Sequence, residues 1–302
     1  DDFADSNNYH RVLFRPSFSI QARELTQAQT ILQNQVERFG NNIFKEGDIV
    51  VPGGVKTTVR DSIKLTSFTG TSTLSDLKGA TLTGGTSGVV AKVLETSAAD
   101  GTDPNTLFVE YQNSGSNNTS TTFTGSETIS GTVDISGVST SVSAVVNTFH
   151  QGVIANISQG IFFVRGFFVQ TSEQSLILEK YDFNATYRVG LTIEEKIDTP
   201  TENTSLNDNA AGSSNENAPG AHRLKFELTL AKKAIDATDD INFIELTRVI
   251  NGVTIFQKDQ TDYNILSDTL ARRTFDESGD YTIRDFDLDI RESVLSGNNR
   301  GI

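Results

Sequence analysis

The chain has no cysteine, no methionine and no tryptophan, and only three histidines in 302 residues. Without cysteine there is no disulfide, no zinc–thiolate cluster and no thiol nucleophile. His10, His150 and His222 stand alone, with no HxH or HxxxH pair to begin a metal site. Long apolar runs are missing too. The strongest, residues 160–169 (GIFFVRGFFV), is broken by Arg165 and falls far short of the ~20 residues of a membrane helix. Basic clusters are absent from a chain whose formal charge is −14 and whose pI is near 4.6. Nucleic acid and anionic membranes are held by grouped Lys and Arg, so neither nucleic-acid binding nor membrane insertion is expected. The start, Asp1-Asp2, is not the basic opening of a secretory signal. With no methionine anywhere and an ending of SGNNRGI, we expect a piece of a longer or processed polypeptide.

What is present is a turn-rich β composition, with Gly 24, Phe 19 and abundant Ser, Thr and Asn, interrupted by one long helical pattern. In residues 19–44, Leu25, Ala28, Leu32, Val36, Phe39 and Ile43 recur at steps of three or four. Ser17 or Ser19 suits the N-cap and Gly40 the left-handed end, predicting about five to six turns at ~3.6 residues each. The polar side is rich in amides (Gln21, Gln27, Gln29, Gln33, Asn34, Gln35) rather than Glu and Lys. Amides tolerate a half-buried contact without the desolvation cost of a charge. Two readings stand side by side: a helix covering its own sheet, or a helix meeting copies of itself.

Along the chain, residues 1–10 read as a polar arm and residues 11–14 (RVLF) as a short extended segment before Pro16. Charge then thins out over residues 63–146, where Ser, Thr and Gly dominate. We read this as a small all-β module inserted into a host formed by residues 1–62 and 147–302. In the host, strands are expected at 161–164, 167–169, 176–178 and 187–193. The paired phenylalanines Phe162-Phe163 and Phe167-Phe168 call for a cover, which the helix could supply. Residues 198–222 form a long polar loop. Strands follow at 223–230, 241–250 and 253–256, the last two joined by Asn251-Gly252. Asp262 is placed to cap a short helix carrying Ile265, Leu266 and Leu270, and alternation over 281–290 predicts a closing strand. The fold class is therefore α+β, predominantly β, with one long N-terminal helix packed on sheet.

The search for chemistry is less productive. Asp285, Asp287 and Asp289 share a strand face that could bind a cation but reads better as a solvated face, and Asn207-Asp208-Asn209 with Glu202 and Glu216 offer oxygen ligands without the spacing of the EF-hand loop. No P-loop, dinucleotide fingerprint or nucleophile elbow occurs, and Gly84, Gly85 and Gly88 read as turn glycines because a β segment follows them. With 39 acidic residues, no carboxylate pair can be singled out as glycosidic. No cofactor, metal ligand or catalytic residue is assigned.

Residues 9–54, opening YHRVLFRPSFSIQARELTQAQTILQ, resemble the start of a group of virion structural proteins of tailed phages, as in contractile-tailed phages of cyanobacteria. The resemblance resumes at GIFFVRGFFV, at residues 218–224 (APGAHRL) and at residues 270–288 (LARRTFDESGDYTIRDFDL). It implies a baseplate or tail-fibre attachment protein located in the virion, acting through assembly with itself and other tail proteins rather than by catalysis. The alternatives are a glycan-binding adhesin and a polysaccharide-degrading tail protein, although no fixed-period β-helix repeat is seen. Under the first reading we expect a homotrimer with the helix at its seam. The interface residues are Leu25, Gln27, Leu32, Gln33, Gln35, Val36 and Phe39, with the neutral amides lining the axis of an acidic assembly.

Overall fold

The structure is a computed structural model that describes residues 2–71, 73–115, 119–212, 214–258, 264–279, 293–294 and 300–301. The cap expected at Asp262 and the strand expected over 281–290, with Asp285, Asp287 and Asp289, lie outside the described residues. The chain is 44% strand and 16% helical, so the mainly-β α+β class holds.

Its frame is a pair of long antiparallel strands, β2 (Val55–Thr69) and β7 (Val138–Ile157), rich in Val, Thr, Ile and Ser. They pair from Val55↔Ile157 to Thr69↔Ser143. At their far end they join β3 (Thr81–Gly84), β4 (Val90–Ser97), β5 (Thr106–Asn113) and β6 (Thr128–Ile135) in the order β7-β2-β5-β4-β3-β6. Because β6 pairs again with β7, from Thr128↔Val145 to Ile135↔Val138, these six strands close into a barrel. Its core is Ile63, Leu65, Leu77, Leu82, Val93, Leu107, Ile129 and Val146 with their neighbours, all from residues 63–146.

The expected module boundaries, 62/63 and 146/147, fall inside β2 and β7, which run through them unbroken. Composition changes there because the two strands pass from one core to another. The backbone does not stop. Register shifts between Ile63 and Leu65 and between Leu65 and Ser67 mark the passage, since a bulge bends a strand and resets which side chains face inward.

The other core belongs to the host. β8 (Gly160–Val164) and β9 (Phe167–Thr171) form a hairpin edged by β1 (Ile49–Val51), and β10 (Gln174–Glu179) pairs with the near end of β7. A four-stranded antiparallel sheet lies beside them in the order β12 (Arg223–Lys233), β11 (Tyr187–Asp198), β13 (Phe243–Ile250), β14 (Val253–Gln257). Ile49, Val55, Ala155, Ile157, Phe162, Val164, Val189, Leu191, Leu230, Ile244 and Leu246 meet in this core, and none of its residues lies between 63 and 146. Asn251 (φ 49°) and Gly252 (φ 78°) make the β13–β14 turn with two left-handed residues, as the pair predicted. The loop over 198–222 is the tip of the β11–β12 hairpin, closed at Asp198↔Arg223.

Helix α1 spans Ala22–Asn41. It begins later than the serine caps predicted: Ser17 sits at φ 68° in the turn after Pro16, and the backbone N–H of Gln21 is met by Glu24 Oε2 at 2.9 Å. Gly40 is not the left-handed terminator. It lies buried within the helix, where a Cβ would stand 2.4 Å from Phe163 Cε2, so glycine is needed for close approach. Phe44, Phe163 and Phe168 cluster just beyond, with ring centroids 5.3 to 5.8 Å apart. The cover for the phenylalanine pairs is therefore divided. Phe162 turns into the core beneath the four-stranded sheet, while Phe163 and Phe168 meet the end of α1. A second helix, α2 (Asn264–Ser278), is longer than the short one expected and touches the turn that follows α1 through Ile265 N–H to Ile43 O at 3.3 Å.

Candidate assembly interface

The face α1 turns to the protein is not its apolar one. Ile31 is 2% exposed, but Leu25, Leu32, Val36 and Phe39 are between 43 and 68% exposed. The contacts come from the opposite side. The Gln33 amide donates to Gly166 O at 3.0 Å, the turn at Gly166 lies against the Glu37 side chain, and Gln27 reaches Asp2 O at 3.5 Å. Asp2 and Asp5 of the arm pair with Arg23 and Arg38. The seven residues named from sequence thus divide. Leu25, Leu32, Val36, Phe39 and Gln35 face outward, while Gln33, and more loosely Gln27, are engaged at home.

The physical reason is the hairpin tip, whose carbonyl and glycine suit a small, polar helix face with a gap at Gly40 for Phe163. The leucines are left over. Leu25, Leu32 and Phe39 are seven residues apart with Val36 between them, the spacing of a coiled-coil seam. The apolar exposure continues into Phe18 and Ile20 before the helix, and Leu13 and Phe14 in the arm. Sequence reasoning missed these four as surface residues, although four apolar side chains within eight positions outside any strand was the available signal.

A cleft of about 620 Å³ lies between β10 and the barrel, lined by Glu95, Asp103, Ser175, Glu179, Lys180, Tyr181 and Lys232 among others. Its groups are engaged with each other. Lys78 bonds both Glu95 (2.6 Å) and Ser175 (2.7 Å), Lys180 bonds Asp100 (2.5 Å) and Asp103 (3.2 Å), and Tyr181 shares a 2.8 Å bond with Thr106. The Tyr187 hydroxyl donates to Glu179 at 2.7 Å, which raises its pKa. Burial lowers that of Lys232, whose Nζ donates to Leu178 O at 2.5 Å. This network ties β10 to the barrel.

Among the described residues of the barrel, Glu127 is the one buried carboxylate. It accepts from Thr86 N–H, Ser87 N–H and Ser87 Oγ–H at 3.0 Å each, and from Thr124 N–H at 2.5 Å. Burial by itself would raise its pKa, but the backbone and hydroxyl donors outweigh burial and hold it below the ordinary glutamate value. The β3–β4 loop glycines read as turn formers also make room here: a Cβ on Gly84 would lie 2.3 Å from Ser87 Oγ.

His10 and His222 are exposed, and His150 stands beside Tyr181 on β7. Among the described residues no group of three His, Cys, Asp or Glu could hold a metal ion. In the loop over 198–222 the oxygen-rich side chains serve the loop itself, Asp208 accepting from Ala210 N–H and Glu216 from Gly212 N–H.

Fold and surface together define a mainly-β protein with a closed barrel, an open sheet and an outward apolar helix stripe. The chain belongs to the family described as "Domain of unknown function (DUF4815)", whose model matches residues 1–72 and 117–300. The unmatched stretch, 73–116, carries β3, β4 and β5, three of the six barrel strands. No curated protein and no solved structure matches the chain.

Proposed function

We propose that this chain is a structural component of a tailed-phage virion, a baseplate or tail-fibre attachment protein that acts through assembly interfaces and forms a homotrimer about α1. The resemblance of residues 9–54 and the later motifs supports the setting. The observation that carries the assembly is the outward stripe of Leu25, Leu32, Val36 and Phe39, opposite the face α1 gives to its own hairpin. Exposed apolar side chains at heptad spacing gain most by meeting equivalent helices. The seam is then lined by leucines and not by the amides expected from sequence, since Gln33 already serves Gly166. Neutral side chains still suit an axis shared by chains of charge −14.

Light scattering tests this. Three chains of 32.8 kDa give 3 × 32.8, about 98 kDa. Leu32→Glu, which places like charges on the seam and removes an exposed leucine, should reduce the mass to that of one chain with the fold retained by circular dichroism. A monomeric wild type refutes the assembly, and a trimeric Leu32→Glu refutes α1 as its seam. A cryo-EM map of a virion carrying this chain tests the setting, and density accounted for wholly by other proteins would exclude it.

A further inference from the structure

The four-stranded sheet treats its two outer strands differently. Edge strands present unpaired backbone groups, and proteins commonly guard them with charge, especially lysine. At one edge β12 carries Arg223, Lys225, Lys232 and Lys233. At the other, β14 reads VTIFQ, with no charge and no proline, and Val253, Ile255 and Phe256 are exposed. Among the described residues, no strand pairs with its outer side. An apolar, unguarded edge is a template for another strand.

The same chain offers a strand without a sheet. Residues 9–15, YHRVLFR, hold β-favouring Tyr, Val and Phe, yet take no place in any sheet. Among the described residues, the N–H and C=O groups of residues 9–14 make no backbone hydrogen bond, and Tyr9, Leu13 and Phe14 are exposed. Residues 9–18 also hold two arginines and no carboxylate, in a chain of net charge −14. This cationic segment is drawn toward other copies of an acidic protein.

We propose that residues 9–15 of one copy add as an extra strand along the outer edge of β14 in a second copy. This rests on the reading of the chain as self-assembling, and adds a second contact to the α1 seam. Strand addition supplies backbone hydrogen bonds to β14, and the alternate side chains of the arm cover Val253 and Ile255.

The absence of cysteine makes the test direct. Chains bearing Val12→Cys or Leu13→Cys, two donors on opposite faces of the arm, are mixed separately with chains bearing Ile255→Cys and oxidised. A disulfide requires Cβ atoms within about 3.5–4.5 Å, a separation that adjacent strands reach. One of the two mixtures should give a disulfide-linked pair of chains on a non-reducing gel, well above a control pairing with Asn207→Cys in the distant loop. Ile255→Lys should weaken the wild-type assembly at least several-fold in the concentration it needs. If the wild type scatters as an oligomer and neither mixture links above the control, the strand addition is refuted and the α1 seam is untouched. An intrachain disulfide as the sole product of the Leu13→Cys/Ile255→Cys double variant refutes exchange between copies. A monomeric wild type refutes both proposals together.

Discussion

The barrel and the four-stranded sheet are made of similar β-branched strands, yet they end in opposite ways. Each barrel strand has a neighbour on both sides, so closure leaves no lateral edge. The sheet stops at β12 on one side and β14 on the other, and α1, against the β8–β9 hairpin, holds its leucines outward. A closed unit satisfies its own backbone and needs nothing further. An open one leaves hydrogen-bonding groups and apolar surface that a partner can use. The surfaces suited to assembly therefore belong to the host, and the unmatched residues 73–116 fall wholly outside it.

Removing the barrel is the harshest way to test that separation. Leu65 and Val146 face each other across β2 and β7, so residues 66–145 can be replaced by an Asn-Gly turn. The remainder should melt cooperatively, because its core takes no residue from the deleted segment. The losses are confined to contacts such as Phe108 against Gly152 and Lys180 with Asp100 and Asp103. An aggregated product with no cooperative transition would show that the two cores depend on each other.

Next in size is Glu127→Ala, which leaves four donors unpartnered in the barrel. Two of the four, both on Ser87, lie in buried contacts, and at about 1–3 kcal/mol for each buried group left unsatisfied the barrel should lose a few kcal/mol in denaturant unfolding, and the host much less. The same carboxylate sets an acid limit. Its folded pKa lies below the ordinary 4.5, so its stabilisation is complete above that pH and is lost as pH falls through the folded value. A wild-type barrel with the same melting temperature at pH 3 as at pH 7 would contradict this.

Gly40→Ala should cost less. Its Cβ meets the Phe163 ring at 2.4 Å, a clash of about 1–3 kcal/mol, partly offset by the ~1 kcal/mol that alanine gains over glycine in a helix. Hydrogen exchange should quicken in α1 while the barrel amides stay protected. The smallest effect is expected for Gln33→Glu, which removes one bond to Gly166 O, worth about 1 kcal/mol. It should leave the assembled mass unchanged. Dissociation by this variant and not by Leu32→Glu would restore the amide face as the seam.

Much of the fold was legible in local signals. The Asn251-Gly252 turn, the 3.6-residue period of α1 and the β-branched runs of β8 to β13 each depend on neighbours within a few residues. Barrel closure was not legible, because the β6–β7 and β2–β7 pairings that bring it about are fixed by packing between distant segments. The unbroken passage of β2 through position 62 was hidden for a related reason: composition reports a change of surroundings, not a break in backbone. The candidate interface shows a different limit. Periodicity found Leu25, Leu32, Val36 and Phe39 correctly as one stripe, but an apolar stripe looks the same whether it faces its own sheet or a partner. What turns the stripe away from its own sheet is Gly40, whose missing side chain admits Phe163 to another face of the helix.

The shared strands also bear on how the molecule carries load. β2 runs beside β7 along its whole length of 15 residues, broken only by the two register shifts, a span of about 50 Å at ~3.3 Å per residue that crosses from one core into the other. No linker lies between the units, so there is no hinge at which the barrel could swing. A pull along these strands is borne in shear by many hydrogen bonds at once rather than peeled from them singly. Force applied at the barrel tip would therefore reach the host sheet through two strands of continuous covalent backbone.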